Sequence, residues 1–261
     1  MWFGDYVTMQ WFDDVWTKEV FANYFASQIV EPLYPSVNHA LNFMQDYIPP
    51  AYAEDRTAGA NPIKQELDNL RNAGLVYGNI IYDKSPVVLE MLIKKMGKES
   101  FRKGIQEYLK TYAYGNATWE GLIGILDTYT DDDLSGWSHI WVNEKGMPEI
   151  AVSIVGDSLV VSQKDPFGRG LNWPQDLTYL IVPKTGEPEE ISVSFGRNSN
   201  SIRKKLKTVP EEGSFIIPNT DGKGYGFFRL NEADAKACAA YLSVCENELL
   251  RGSLLIALYE N

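Results

Sequence analysis

Apolar residues in the first 145 residues recur every three or four positions, which is the spacing of amphipathic helices. Two prolines, a glycine and a threonine interrupt this pattern. Pro49 and Pro50 should end the second helix, Gly97 should end the third, and Thr118 is a candidate N-cap for the fifth. The pattern predicts helices over residues 11–29, 36–47, 80–96, 100–112, 119–129 and 134–142.

The period of the apolar residues changes from three or four to two at Met147-Pro148. The first two alternating stretches flank Gly156-Asp157, a pair that is typical of a tight hairpin turn. Short strands at even spacing indicate an antiparallel β-sandwich. The predicted strands are 150–155, 158–163, 177–182, 190–195, 214–217 and 225–229. From Glu232 the helical period returns and continues to the last residue.

These changes of period predict an α+β multidomain chain. The predicted domains are a helical region over residues 1–145, a β-sandwich over 146–230 and the start of a second helical region over 231–261. With 261 residues and 44% hydrophobic residues, the chain is long and apolar enough to form real cores.

Charge and apolar run length exclude two classes of partner. The formal net charge is −11, whereas a protein that binds nucleic acid needs a clustered basic face. No apolar run approaches the roughly 18 residues of a membrane span. We therefore expect neither nucleic-acid binding nor a membrane span in this chain. The sequence does not indicate a compartment.

The two cysteines and two histidines exclude a self-contained histidine-rich metal site. Cys238 and Cys245 lie seven positions apart in a predicted helix, about 10 Å along its axis, which is too far for a disulfide. We expect both to be reduced. His39 and His139 have no ligand spacing around them and are interpreted as surface or packed histidines.

An acidic run at Asp131-Asp132-Asp133 raises the question of a calcium site. The run lacks the glycine and the distal glutamate of a calcium-binding loop. Carboxylates are favoured at a helix N-terminus, so we interpret this run as a solvated helix cap.

The segments Trp2-Phe3-Gly4-Asp5-Tyr6-Val7-Thr8-Met9 and Trp16-Thr17-Lys18-Glu19 carry a family resemblance. They resemble the aminopeptidase N family of zinc metallopeptidases, the gluzincins. In that family an H-E-x-x-H helix supplies two histidine ligands and a general-base glutamate, and a second helix supplies a glutamate as the third ligand. By register this third ligand corresponds to Glu19, and the chain would begin one residue after the second histidine. Lys18 and Val20 stand where the family usually has asparagine and glycine.

The resemblance implies one zinc ion in the intact enzyme, absent or weakly bound in this chain. A catalytic zinc takes three protein ligands and keeps one position for a water molecule, whose pKa falls to about 7. Two histidines and Glu19 would complete such a set. The alternative is that Glu19 is an ordinary solvated carboxylate on the face of a helix.

The segment Ile80-Ile81-Tyr82-Asp83-Lys84-Ser85 resembles the family's Tyr-x-Lys-Gly stretch, with Ser85 in place of the glycine. In the family this tyrosine donates a hydrogen bond to the oxyanion of the tetrahedral intermediate, a role that suits a neutral phenol. The resemblance assigns that role to Tyr82. The competing interpretations are core packing of Tyr82, or Tyr77 in the same role. We expect the Tyr82 hydroxyl on the order of 5–8 Å from the Glu19 carboxylate.

The resemblance extends through the predicted sandwich, where Asn219 to Arg229 matches the family's Asn-x-x-Gly-Tyr-aromatic-Arg strand. It implies the helical lobe of a thermolysin-like catalytic domain, then the β-sandwich, then the first helices of a C-terminal helical domain. The implied function is zinc-dependent hydrolysis of N-terminal residues from peptide substrates. The chain alone would be inactive, because the H-E-x-x-H motif and the Gly-x-Met-Glu-Asn anchor for the substrate amine are missing.

Two other functions were weighed against the peptidase. The chain could be a non-catalytic binding or scaffold module derived from the same fold. A glycosidase that uses Asp13 and Asp14 is excluded, because adjacent residues of a helix point about 100° apart and cannot flank one bond.

Overall fold

The computed structural model describes residues 2–261 and shows a chain of mixed helices and sheets, which confirms the α+β class. Shorter turns of 3₁₀ helix (Phe12–Asp14, Glu31–Leu33, Leu70–Leu75) and of π-helix (Ile80–Lys84, His139–Asn143) lie between the longer elements. The α-helices are α1 (Trp16–Val30), α2 (His39–Asp55), α3 (Ser85–Met96), α4 (Lys98–Thr111), α5 (Trp119–Asp127), α6 (Leu134–Ser138), α7 (Glu232–Tyr241) and α8 (Glu248–Glu260).

The strands form one two-stranded sheet, one four-stranded sheet and one three-stranded sheet within the described residues. Their order in space is β1-β2, β7-β4-β3-β9 and β6-β5-β8. The strands are β1 (Val7–Met9), β2 (Gly115–Ala117), β3 (Glu149–Val155), β4 (Ser158–Lys164), β5 (Asp176–Val182), β6 (Glu189–Ser194), β7 (Ser201–Lys205), β8 (Phe215–Pro218) and β9 (Phe227–Arg229).

The chain folds into two compact units. The first comprises the residues up to His39 together with Asp46–Gly146, and the second comprises Ala40–Gln45 together with Met147–Asn261. The first unit contains the small β1-β2 sheet, in which the strands run parallel. The interpretation of this region as purely helical is therefore wrong, because two short strands that are distant in sequence pair there.

Helix α2 departs from the prediction. It begins at His39 rather than at residue 36, and it continues through Pro49 and Pro50 to Asp55. Each proline removes one backbone hydrogen bond from a helix interior. The predicted stop is wrong because the next turn is anchored by burial: Ala51 is 0% exposed and Tyr52 is 3% exposed. Tertiary packing here outweighs the local preference of proline.

Helix α3 ends, and helix α5 begins, at the residues that the sequence predicts. Helix α3 ends at Gly97, whose φ of +82° is a conformation that glycine adopts without strain. Helix α5 begins after Thr118, whose hydroxyl accepts a hydrogen bond from the Gly121 N–H. Nine of the twelve residues of α3 are buried, whereas α5 buries one face.

The second unit is built on the four-stranded and three-stranded sheets, whose inner residues form a shared apolar core. The β3-β4 hairpin is confirmed, with Gly156 at a φ of +65° in its turn. The core takes residues from both sheets: Ile150, Leu159, Val161, Leu177, Tyr179, Ile181, Ile191, Val193, Ile216 and Phe228.

The sequence indicated an antiparallel sandwich, but one pair of strands in this unit is parallel. Strand β9 pairs with β3 in parallel, with Glu149 opposite Phe227. Strand β7 was not predicted, because three of its five residues are cationic and four of the five side chains are exposed. The remaining pairs, β3-β4, β4-β7, β5-β6 and β5-β8, are antiparallel.

The C-terminal helical stretch is interrupted. Helix α7 ends at Tyr241 and α8 begins at Glu248, so Cys245 lies in the connection and not on a helix as predicted. Cys238 and Cys245 are both free and buried in this structure. Burial raises the pKa of the Cys238 thiol to about 12. Within the described residues, no helix has the length and apolar character that crossing a membrane would require.

Candidate active site

Glu19 lies in the first turn of α1, between residues that bury the helix. Trp16, Val20 and Phe21 are each 1% exposed, so they fix the orientation of this turn. The Glu19 side chain is 30% exposed, and its carboxylate oxygen lies 3.5 Å from the Lys18 ammonium nitrogen. The packing of its neighbours therefore leaves the Glu19 carboxylate accessible on the surface of the first unit.

The start of α1 is tied to α5 by Asp14, which is 1% exposed. One Asp14 oxygen accepts a hydrogen bond of 3.0 Å from the Trp119 N–H, and the other lies 3.2 Å from the Lys64 Nζ. Lys64 also donates to Glu120 over 2.8 Å. Burial raises the pKa of Asp14, and the contacts with Trp119 and Lys64 oppose that shift. Asp14 thus has a structural partner on each oxygen, five positions before Glu19.

Tyr82 lies in the π-helical turn Ile80–Lys84, directly before α3. Ile80 and Ile81 are buried at 1% and 2% exposure, whereas the Tyr82 side chain is 39% exposed. Its N–H donates to the Gly78 carbonyl over 3.0 Å. Its ring stacks on that of Tyr77, with centroids 6.1 Å apart and ring planes at 23°. The phenol therefore projects from a buried turn and rests against a second tyrosine.

The charge of Glu19 acts on the Tyr82 phenol. Partial burial raises the pKa of the Tyr82 phenol, the negative charge of Glu19 and then Tyr77 raise it further, and Lys18 opposes this shift. The two side chains project from elements of the first unit that pack together, α1 and the π-helical turn. A raised pKa keeps the Tyr82 phenol protonated at neutral pH, so its hydroxyl can donate a hydrogen bond.

The neighbour of Tyr82 in the sequence, Asp83, is also perturbed. Burial and, secondarily, the charge of Glu54 raise the pKa of the Asp83 carboxyl from 3.8 to about 6. Neither Asp83 nor Glu54 was singled out from the sequence.

A buried ion pair below Tyr82 was also missed by the sequence analysis. The Lys84 Nζ lies 2.7 Å from the Asp55 carboxylate, and both side chains are 0% exposed. The same nitrogen donates to the Gly146 carbonyl over 2.8 Å. The available signal was a lysine in an otherwise buried run, from Ile80 through the first turn of α3.

The described residues do not make up a complete zinc site. Among residues 2–261 there is no cluster of three or more His, Cys, Asp or Glu side chains that could hold a metal ion. The His39 Nε2 lies 2.9 Å from the Tyr34 carbonyl oxygen, and His139 is 65% exposed with Glu144 at 3.6 Å. No metal-dependent step can therefore be derived from the residues that the structure describes.

A family model and individual relatives point to the same protein family. Residues 1–144 match the peptidase family M1 domain. Aminopeptidase N of Lactococcus lactis subsp. cremoris (strain MG1363) is 32% identical over 200 residues, which cover 74% of this chain and 24% of that protein. Probable aminopeptidase 1 of Sulfurisphaera tokodaii is 30% identical over 216 residues, with 78% and 27% covered. Aminopeptidase M1-B of Oryza sativa subsp. japonica is 27% identical over 263 aligned residues, with 95% and 29% covered. The chain spans about a quarter of the length of these curated relatives.

Proposed function

Because the chain belongs to peptidase family M1, we propose that it is part of an aminopeptidase that hydrolyses N-terminal residues from peptides. The names of its relatives support this activity: aminopeptidase N in Lactococcus lactis and aminopeptidase M1-B in Oryza sativa. The substrates would be peptides with a free N-terminus.

In this proposal Tyr82 stabilises the transition state. Its phenol donates a hydrogen bond to the oxyanion that develops when the peptide carbonyl is attacked. A neutral donor at fixed reach suits this role, because it meets the growing charge without a proton transfer. The raised pKa of Tyr82 favours the neutral form.

Glu19 would serve as one ligand of a single zinc ion, which when bound polarises the scissile carbonyl and activates water. The other ligands, an H-E-x-x-H pair of histidines, and the anchor for the substrate amine would come from outside the 261 residues. One carboxylate does not hold zinc tightly, so the chain by itself should be inactive and contain little zinc.

One observation carries this assignment. Glu19 and Tyr82, which the family resemblance reaches from separate motifs, project from elements of the first unit that pack together, α1 and the π-helical turn. The Tyr82 phenol is accessible, and the charge of Glu19 contributes to its raised pKa. We predict a separation on the order of 5–8 Å between the Tyr82 hydroxyl and the Glu19 carboxylate.

We also propose a domain assignment. Residues 1–145 would form the helical part of a thermolysin-like peptidase domain, 146–230 a β-sandwich domain and 231–261 the start of a C-terminal helical domain. The core shared by the two sheets supports the β-sandwich part of this division, and α7 and α8 lie in the same compact unit as these sheets.

Metal analysis and kinetics test the roles separately. The purified 261-residue chain should contain well under one zinc per molecule, and stoichiometric zinc lost on Glu19→Gln would contradict the single-ligand assignment. In a longer protein that carries the histidine motif, Tyr82→Phe should lower kcat by about 100-fold, equivalent to about 3 kcal/mol, with zinc content unchanged. Tyr77→Phe is the matched control, because it removes the hydroxyl of the stacked neighbour and should retain turnover.

The competing function is a non-catalytic binding or scaffold module. The absence of a three-ligand cluster among residues 2–261 also fits that alternative. The coding sequence upstream of Met1 discriminates between the two: the peptidase proposal requires an in-frame H-E-x-x-H motif that ends one codon before Met1, and a scaffold module does not.

A further inference from the structure

The ion pair between Asp55 and Lys84 is the most deeply buried charge interaction near Tyr82. Both side chains are 0% exposed, and the Lys84 Nζ lies 2.7 Å from the carboxylate of Asp55 at the end of α2. The same nitrogen donates to the Gly146 carbonyl over 2.8 Å. Two fixed acceptors from distant parts of the chain therefore define where the end of the Lys84 side chain lies.

Lys84 is the last residue of the π-helical turn, two positions after Tyr82. The next residue strengthens this connection, because the Ser85 hydroxyl donates a hydrogen bond to the Ile81 carbonyl. Ile81 and Lys84 are buried on either side of the partly exposed Tyr82. Fixing the buried neighbours fixes the backbone from which the phenol projects.

Stability alone does not explain a charge pair at this position. The free energy lost when two charges leave water offsets much of the free energy gained from their attraction. Apolar residues of similar volume often stabilise a folded core equally well. An ion pair differs from apolar packing in being directional: it specifies one geometry for the groups that it joins. The residue that gains from a fixed geometry here is Tyr82, whose partly exposed ring stacks on the ring of Tyr77.

We propose that Asp55 and Lys84 are positioning residues that fix the orientation of the Tyr82 phenol. This inference rests on the proposed function of Tyr82. In it, the placement of the Tyr82 hydroxyl depends on two residues that do not touch the substrate. The pair acts through the π-helical turn and through no direct contact with the reacting atoms.

The test uses the 261-residue chain and needs neither zinc nor activity. In a sample with labelled tyrosine rings, nuclear Overhauser cross-peaks between Tyr77 and Tyr82 report their stacking, and Tyr77→Phe and Tyr82→Phe assign the signals. The double variant Asp55→Leu/Lys84→Met replaces the pair with apolar residues and should fold, yet lose at least half of the cross-peak intensity. The matched control Lys95→Met/Asp132→Leu removes a pair of equal length, 2.7 Å, from the other end of α3 and should leave the intensity unchanged.

Asp55→Asn keeps the shape of the carboxylate and decides the question if the double variant fails to fold. An intensity within 10% of wild type in a folded double variant, or in Asp55→Asn, overturns the proposal. In the longer, active protein the double variant should lower kcat at least tenfold with KM within about twofold. If the cross-peaks weaken as expected but Tyr82→Phe leaves kcat intact, the positioning role stands and the proposed function of Tyr82 fails.

Discussion

The two units bury charge to different depths. In the first unit Asp55 and Lys84 form an ion pair in which both side chains are 0% exposed. In the second unit the buried Asp165 pairs with Arg169, whose side chain is 26% exposed, and the cluster shared by the two sheets is apolar apart from the Tyr179 hydroxyl. Apolar burial is non-directional and tolerates rearrangement, whereas buried charges require their partners at fixed positions. Asp14 and Lys84 lie within five residues of the candidate active-site residues Glu19 and Tyr82. The exact position of a side chain would matter for catalysis there.

The largest expected effect comes from breaking the buried pair in the first unit. Lys84→Met leaves the Asp55 carboxylate in a dry environment and should lower the free energy of unfolding by about 3–5 kcal/mol. Adding Asp55→Leu should restore most of that loss. Urea denaturation followed by circular dichroism measures both. A single variant as stable as the double one would show that water reaches Asp55.

The sheet core should respond to volume and not to polarity. Leu159 is 0% exposed, and Leu159→Ala should cost about 2–5 kcal/mol because it leaves a cavity. Leu159→Met keeps the volume and should cost less than about 1.5 kcal/mol. Thermal denaturation of the two variants compares their losses of stability. Equal losses would mean that this core depends on the exact side chain as strongly as the ion pair does.

A third, smaller effect depends on pH. The folded protein holds the Asp83 proton more tightly than the unfolded chain, since its pKa rises from 3.8 to about 6. The stabilisation from this proton is present below about pH 4 and is lost as the pH rises through about 6. Asp83→Asn should remove this dependence, which is on the order of 1 kcal/mol after screening by solvent.

The measurement for Asp83 is urea denaturation at about pH 4.5 and about pH 7 for wild type and variant. Glu54→Gln serves as a partial control, since the Glu54 charge is the second cause of the shift and only part of the dependence should disappear. An unchanged pH dependence in Asp83→Asn would assign it to other carboxylates.

The smallest effect concerns two buried hydroxyls of the second unit. Among the described residues the Tyr179 hydroxyl has no hydrogen-bond partner, so Tyr179→Phe should leave stability unchanged or raise it by up to about 1 kcal/mol. Ser253→Ala is the contrasting variant: its hydroxyl donates to the Asn219 carbonyl over 2.7 Å, and its loss should cost about 1 kcal/mol. Equal effects in calorimetry would point to a water partner for Tyr179.

Local pattern accounts for much of the fold. The period of apolar residues predicted most helices and the β3-β4 hairpin, and single residues such as Thr118 and Gly97 fixed two helix ends. The family that the motifs resemble is confirmed by the match over residues 1–144. These features depend on neighbours in the sequence, which is why they could be recognised there.

The features that were missed depend on distant partners. Helix α2 continues through Pro49 and Pro50 because the following turn is buried, and the parallel pair β1-β2 joins residues more than a hundred positions apart. At the candidate site, motifs indicated Glu19 and Tyr82 as candidates, whose roles stay predictions. Lys84 and Asp55 could not be paired from the sequence, since the packing of α2 against the π-helical turn decides their contact.

The parallel pairing of β9 with β3 also has a consequence for the order of folding. The β3-β4 hairpin joins neighbouring segments, whereas Glu149 meets Phe227 only after every other strand of the unit has been laid down between them. Loop-closure entropy grows with the length of the closed segment, so pairings across long segments form late. We expect β9 to join last, which leaves one edge of β3 open during folding and makes that edge the place where a slow-folding chain would meet another copy.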